Sequence, residues 1–218
     1  MMGDEEFKNA LYMIDIGQND IDGLFSSLSS QTEVIKQIPS FISEINNTLR
    51  TIYYAYGGKK FWVHNTGPFG CLPKKLATIK VNNASTDLDD YGCLKSLNEA
   101  AQIFNTQLKT ICEQLRVELK NATIVYVDIY SIKYSLISNS TLYGFPEPLT
   151  SCAGCGEPPY NYRQPCGEGE FKVCEEGSKY ISWDGVHYTD AANAIVASAI
   201  SSGNYSTPTL KFDYFCSP

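Results

Sequence analysis

Residues 180–193 read YISWDGVHYTDAAN, and within them Asp184 and His187 stand three apart. In a turn of helical pitch, positions i and i+3 share a face, so the carboxylate can reach the imidazole. A carboxylate on one ring nitrogen selects the tautomer and stabilises the imidazolium, which leaves the other nitrogen free as general base. Hydrolysis would further need a nucleophile and donors for a developing oxyanion. Asn19, in the segment GQND at the end of an apolar run, offers such a donor in its side-chain amide. Losing one donor of this kind typically costs about 100–1000-fold in rate. Asp15 and Asp20 stand near it, and a carboxylate pair with Asp184 would suit glycosidase chemistry, but nothing in the spacing supports that over an aspartate-rich turn. The other histidine of the two, His64, lies inside an apolar run next to Trp62 and Val63 and reads as a core residue.

A nucleophile is harder to find. Ser26, Ser27, Ser29 and Ser30 follow the Asn19 turn, but in a polar stretch with no sign of the strained strand-to-helix elbow a nucleophilic serine needs. Ser182, two residues before Asp184, reads as a loop hydroxyl. One His, one Asp and one Asn are too few ligands for a catalytic zinc.

The elements that must hold these groups follow from the apolar pattern. The runs 10–16, 61–67 and 122–130 are nearly continuous, as expected of strands in a parallel sheet covered on both faces. Between the first two, Val34, Ile38, Phe41, Ile45, Leu49 and Ile52 recur at helical steps, with Pro39 expected to kink or restart the helix and Gly57-Gly58 to end it. A second stripe comprises Leu97, Ala101, Phe104, Leu108, Ile111, Leu115 and Leu119, and a last helix should run from an N-cap at Thr189 to near Gly203. Strands alternating with helices imply one α/β domain over 1–218 with right-handed crossovers. Ligands of such sheets bind beyond the carboxyl ends of the strands, where GQND (17–20) and NTGPFG (65–70) stand; each also reads as a plain polar turn. Residues 140–180, rich in Gly, Pro and Cys, read as a long stapled loop.

A formal charge of −7 argues against nucleic acid or an anionic membrane as partner, and no apolar run is long enough to span a bilayer. Eight cysteines suit a disulfide framework; the rival for Cys152-x-x-Cys155 with Cys166 and Cys174 is structural zinc, disfavoured by the short 155–166 interval. Glycosylation sequons occur at Asn46, Asn83, Asn121, Asn139 and Asn204. This secreted pattern begins with MMGDEEF, which has acids where a signal peptide has bases, so the expectation is that the true N-terminus is missing.

The segments ALYMIDIGQNDI, FWVHNTGPFGCLP and YISWDGVHYTDAAN resemble, in order, three signature blocks of the plant-type GDSL esterase/lipases of the SGNH hydrolase superfamily. The LNEAAQIFNTQLK helix and the cysteine-rich loop extend the resemblance through nearly the whole chain. It implies a three-layer α/β/α fold of flavodoxin-like type around a parallel sheet. It also implies cofactor-free hydrolysis of a small-molecule carboxylic ester (lipid, acetylated carbohydrate or secondary metabolite) through an acyl-enzyme, with secretion to the extracellular space or cell wall. It makes Asn19 an oxyanion-hole residue and Asp184 and His187 the catalytic acid and base. The nucleophile of the family is the serine of a Gly-Asp-Ser block near the N-terminus, and these 218 residues contain no Gly-Asp-Ser. The expectation is therefore a C-terminal portion, lacking the first strands and inactive alone. The alternative is a non-catalytic secreted glycoprotein that keeps the binding cleft.

Overall fold

A computed structural model describes residues 4–28, 30–81 and 87–216. It divides into two compact units, Met1–Gly67 with Ala100–Tyr130 and Ala199–Pro218, and Pro68–Glu99 with Ser131–Ser198. The elements in chain order are α1 (Asp4–Asn9), β1 (Leu11–Asp15), α2 (Gln18–Ser27), α3 (Gln31–Tyr56), β2 (Lys60–His64), α4 (Pro73–Val81), α5 (Lys95–Glu118), β3 (Thr123–Val127), α6 (Ile129–Ser138), α7 (Asp190–Ser201) and β4 (Ser206–Thr207).

The sheet lies in the first unit, in the order β1-β2-β3-β4. The three expected strands pair in parallel, Leu11 with Lys60 and Lys60 with Thr123, whereas β4 adds antiparallel, Val127 opposite Ser206. Successive β2 residues point to opposite faces, and Phe61, Trp62 and Val63 are all fully buried, so both faces of the central strand are covered. Phe61 stacks on Tyr12, while Trp62 meets Phe212 and Phe215 edge-on. A mostly parallel sheet with helices on this plan is consistent with the three-layer α/β/α fold. β1 departs from the expected burial: Met13 and Ile16 are more than half exposed. Among the described residues β1 pairs only with β2, so it is an edge, and a groove of about 590 Å³ runs between it and Ile45, Thr48 and Ile52 of α3.

α3 is continuous through Pro39 and is not restarted by it. Its stripe is buried on both sides of the proline, Val34 and Ile38 before, Ile42, Ile45 and Leu49 after, and that packing outweighs one lost backbone hydrogen bond. Ile42 takes the core place expected of Phe41, as Cys112 takes that of Ile111 in α5. Ser30 caps the α3 N-terminus, its Oγ accepting from the Glu33 amide and donating to the Glu33 carboxylate. Gly57 ends the helix at φ 74°. Arg116 of α5 donates to the carbonyls of Ile124 (2.7 Å) and Thr207, which fastens the helix to β3 and β4.

The third apolar run ends as a strand at Val127, and α6 begins at Ile129, inside the span expected to be strand. The cause lies far away in sequence. Asn65 Oδ1 accepts the Tyr130 amide (2.9 Å), one of the orphan donors of the α6 N-terminus, while its Nδ2 donates to Tyr126 Oη and Asp128 Oδ1. Thr66 is clamped in both directions by the Asn105 amide, at 2.9 Å each way. The NTGPFG turn is thus buried scaffold, the amides of Asn65, Thr66 and Gly70 donating to the Val127 carbonyl and to the side chains of Asn105 and Asn98.

In the second unit, three bridges form: Cys71–Cys93, Cys152–Cys174 and Cys155–Cys166. The two halves of Cys152-x-x-Cys155 go to different partners, which leaves no thiolate there for zinc. Cys112, buried in the first unit, and exposed Cys216 are free thiols, so six of the eight cysteines are paired. Residues 140–180 hold no helix or strand beyond isolated bridges, as a stapled loop should.

Candidate active site

Asp184 and His187 meet. Asp184 Oδ2 lies 2.6 Å from Nδ1 of His187, so Nδ1 donates and Nε2 is left as the free acceptor. The contact is not made on a helix, since α7 starts only at Asp190. It is made by a tight turn that wraps the aspartate: Asp184 Oδ1 accepts the amides of Val186 (2.9 Å) and His187 (2.7 Å). Gly185 turns the chain at φ 90°, where a side chain would be strained.

The surroundings hold the turn shut. Ser182 Oγ accepts the Gly185 amide (3.0 Å), the Trp183 amide donates to the His187 carbonyl (2.7 Å), and the Lys74 amide donates to the Gly185 carbonyl (3.1 Å). Thr189 caps α7 as expected, its Oγ1 accepting the Ala192 amide. Partial burial of Asp184 acts to raise its pKa and is the largest single influence. The hydrogen bonds from the His187 amide, the His187 ring and the Val186 amide together outweigh it, and hold the carboxyl below the usual aspartate range. Asp184 is thus an ionised acceptor at neutral pH. The His187 side chain is 71% exposed, open to a reacting group.

His64 presents the opposite case. It is buried, its Nδ1 is 3.5 Å from Asp15 Oδ2 across the β1–β2 register, and its Nε2 is enclosed without a hydrogen-bond partner. A ring nitrogen so enclosed meets no substrate. Sequence reading missed this second His–Asp pair; its only signal was that Asp15 and His64 end adjacent apolar runs.

Asn19 stands, exposed, in the first turn of α2 in the first unit. Gly17 makes that turn possible: it adopts φ 118°, and a Cβ there would fall 2.4 Å from Cζ of buried Phe104. The serines near it are spent locally. Ser26 donates to the Asp22 carbonyl, Ser27 to Gly23, and Ser30 caps α3; Ser29 lies outside the described residues. Ser182 is scaffold of the turn, as described. No group of His, Cys, Asp and Glu among the described residues is arranged to hold a metal. Of the sequons, Asn121, Asn139 and Asn204 are exposed, Asn46 is half-buried in α3, and Asn83 lies outside the described residues.

A cavity of about 680 Å³ adjoins the dyad segment, lined among others by Leu149, Thr150, Pro158, Asn161, Lys172 and Tyr180. Its wall at Ser151–Cys152 is bonded to the strand-like stretch before Asp184, the Cys152 amide donating to the Ser182 carbonyl at 3.1 Å.

The chain matches the model of the GDSL-like lipase/acylhydrolase family over residues 2–200. It is 55% identical to the GDSL esterase/lipase At1g09390 of Arabidopsis thaliana, across 99% of this chain and 58% of that protein. Likeness to GDSL esterase/lipase LIP-4 of the same plant is 55%, covering 96% and 56%. A third Arabidopsis relative, 39% identical over 91% and 55%, is named alpha-L-fucosidase 3. The chain spans just over half the length of these curated relatives. On the family match and these identities, the chain belongs to the GDSL-like lipase/acylhydrolase family.

Proposed function

We propose that this chain carries the acid–base pair and one oxyanion donor of a carboxylic-ester hydrolase, and that the nucleophilic serine comes from outside these 218 residues. The observation that carries the reading is the 2.6 Å contact between Asp184 and an outward-facing His187. A serine hydroxyl attacks the ester carbonyl and its proton passes to Nε2 of His187. Asp184 holds the imidazolium, and the Asn19 amide donates to the oxyanion. His187 then returns the proton to the departing alcohol, and water repeats the sequence to release the acid. The 218 residues alone are inactive or nearly so: they contain no Gly-Asp-Ser, and the described serines beside Asn19 and Asp184 are engaged in caps and turns. The open edge of β1 fits a sheet completed by further chain.

Esters are favoured over glycosides by the contacts of Asp184. A glycosidase carboxyl must face the glycosidic oxygen or the anomeric carbon, whereas the Asp184 oxygens accept the Val186 and His187 amides and meet His187 Nδ1, as an orienting carboxylate does. The 680 Å³ cavity, which reaches the segment before the dyad at Tyr180, has the size and mixed lining of a site for the acyl or alcohol part of a small ester, be it lipid, acetylated sugar or secondary metabolite. Three disulfides fit an oxidising, extracellular compartment, and exposed Asn121, Asn139 and Asn204 fit glycosylation. Among the described residues no helix is long and apolar enough to cross a membrane.

The test is a fluorophosphonate probe and a chromogenic ester applied to the purified chain, to its His187→Ala variant and to a version extended by the Gly-Asp-Ser segment of a relative. The expected result is labelling and His187-dependent turnover in the extended protein alone. Strong His187-dependent turnover by the 218 residues would refute the missing-nucleophile reading. Ligand binding without turnover in the extended protein would favour the other reading, a binding protein that keeps the cleft, which the absence of Gly-Asp-Ser also suits.

A further inference from the structure

We propose that Tyr162, carried on the loop closed by Cys155–Cys166, is a positioning residue for the Asp184–His187 pair. Its ring holds the Gly185 turn in the shape that aims the Asp184 carboxylate at Nδ1 of His187.

The turn depends on a glycine, and glycine has the most backbone freedom to lose. Three of its sides are gripped. The Gly185 amide is held by Ser182 Oγ, and its carbonyl by the Lys74 amide. The third side, where any other residue would carry its Cβ, is filled by Tyr162. A Cβ on residue 185 would lie 2.5 Å from Cδ2, 3.1 Å from Cε2 and 3.3 Å from Cγ of that ring. The ring thus occupies the space the turn would need in order to relax. Burial raises the Tyr162 phenol pKa, and the Asp184 charge raises it further, as a hydroxyl near the carboxylate requires.

A ring can position a turn only if it is itself mounted firmly. Fully buried Ser151 donates from its Oγ to the carbonyls of Tyr160 (2.9 Å) and Asn161 (3.0 Å) and from its amide to Tyr160 (3.1 Å). The Asn161 side chain donates back to the Ser151 carbonyl at 3.0 Å. Gly156 packs so closely under Tyr162 that a Cβ there would fall 2.7 Å from the Tyr162 nitrogen. The 151–153 segment that bears these contacts is bonded to the dyad segment, the Ala153 amide donating to the Trp183 carbonyl at 2.7 Å. Loop and turn are therefore joined twice, once through backbone and once through the Tyr162 ring.

What the pair does rests on the ester-hydrolase reading; the positioning does not, and it is measured without turnover. In the 15N-labelled chain, long-range 1H–15N correlation reports the tautomer of both imidazoles, with His64 as internal control. Wild type should show His187 protonated on Nδ1. Tyr162→Ala should lower the ratio of Nδ1–H to Nε2–H at His187 about tenfold, the scale of a charge-assisted hydrogen bond losing its geometry, and leave His64 unchanged. Tyr162→Phe, which keeps the ring, should restore the wild-type ratio. A folded Tyr162→Ala with wild-type tautomers at His187 overturns the proposal, and so does Tyr162→Phe behaving like alanine. Should Tyr162→Ala not fold, hydrogen exchange on the wild-type chain decides: the amides of Asn161, Val186 and His187 should open together, within about twofold of one another. Separate opening of loop and turn overturns the proposal.

Discussion

Replacing Gly17 by alanine tests the close approach to Phe104 that shapes the Asn19 turn. Gly17 sits at φ 118°, outside the region an alanine tolerates, and that strain alone is of order 1–3 kcal/mol. The added methyl would also lie 2.4 Å from Cζ and 2.9 Å from both Cε atoms of Phe104. Phe104 is fully buried on α5 and has no free direction in which to yield, so overpacking adds about 1–3 kcal/mol. The sum, about 2–6 kcal/mol, is a large part of the about 5–15 kcal/mol that holds a typical domain together. In urea, with m near 2 kcal/mol per molar, the midpoint should fall by about 1–3 M. Gly23→Ala supplies the contrast. It lies in the exposed interior of the same α2, nothing stands within 4 Å of its would-be Cβ, and alanine is the better helix former by about 1 kcal/mol. Its midpoint should rise. Phe104→Leu combined with Gly17→Ala separates the two penalties, since relief of the clash gives a coupling energy of about 1 kcal/mol or more. A Gly17→Ala cost under about 1 kcal/mol, or strict additivity with Phe104→Leu, would refute the close approach.

Other consequences are as direct. Asp184 titrates below its unfolded value, so its stabilising share is complete above about pH 5 and is lost as pH falls through the depressed folded value; the stability gap between wild type and Asp184→Asn in urea should close in acid. Burial pushes the Cys112 thiol up to about 12, whereas Cys216 is exposed, so a thiol reagent should label Cys216 alone in the native chain and Cys112 as well after denaturation. Cys71–Cys93 spans 22 residues, and replacing both cysteines by alanine should cost about 3 kcal/mol in urea denaturation. On the proposed reading, in the version extended by the Gly-Asp-Ser segment of a relative, Asp184→Asn should lower kcat about 10⁴-fold with little change in KM.

Local signals were legible where the physics is local. The parallel strands, the long stripes of α3 and α5, the Gly57 stop and the Thr189 cap were all readable, because each follows from periodicity or from a cap within a few residues. Asp184 and His187 were legible as a pair for the same reason: they stand three positions apart, and the contact is made inside their own turn. The misreadings have causes outside the segment misread. Ile129 and Tyr130 are apolar enough to prolong β3, yet Asn65, more than sixty residues away, caps them into α6. Pro39 looked like a break because local cost was visible and the flanking burial was not.

Sequence alone thus determined the alternation of elements, the family resemblance and the identity of the Asp–His pair, all of them properties of neighbours along the chain. Tertiary structure alone revealed that both histidines have an aspartate partner, the buried His64 as well as the open His187. His64 and His187 each lie beside an aspartate, but parallel pairing of β1 with β2 buries one ring, and a loop turn leaves the other 71% exposed. It also decided which cysteines pair and what fills the space beside Gly185. Those outcomes depend on groups that approach through space from distant parts of the chain, and spacing along the sequence carries no record of that approach.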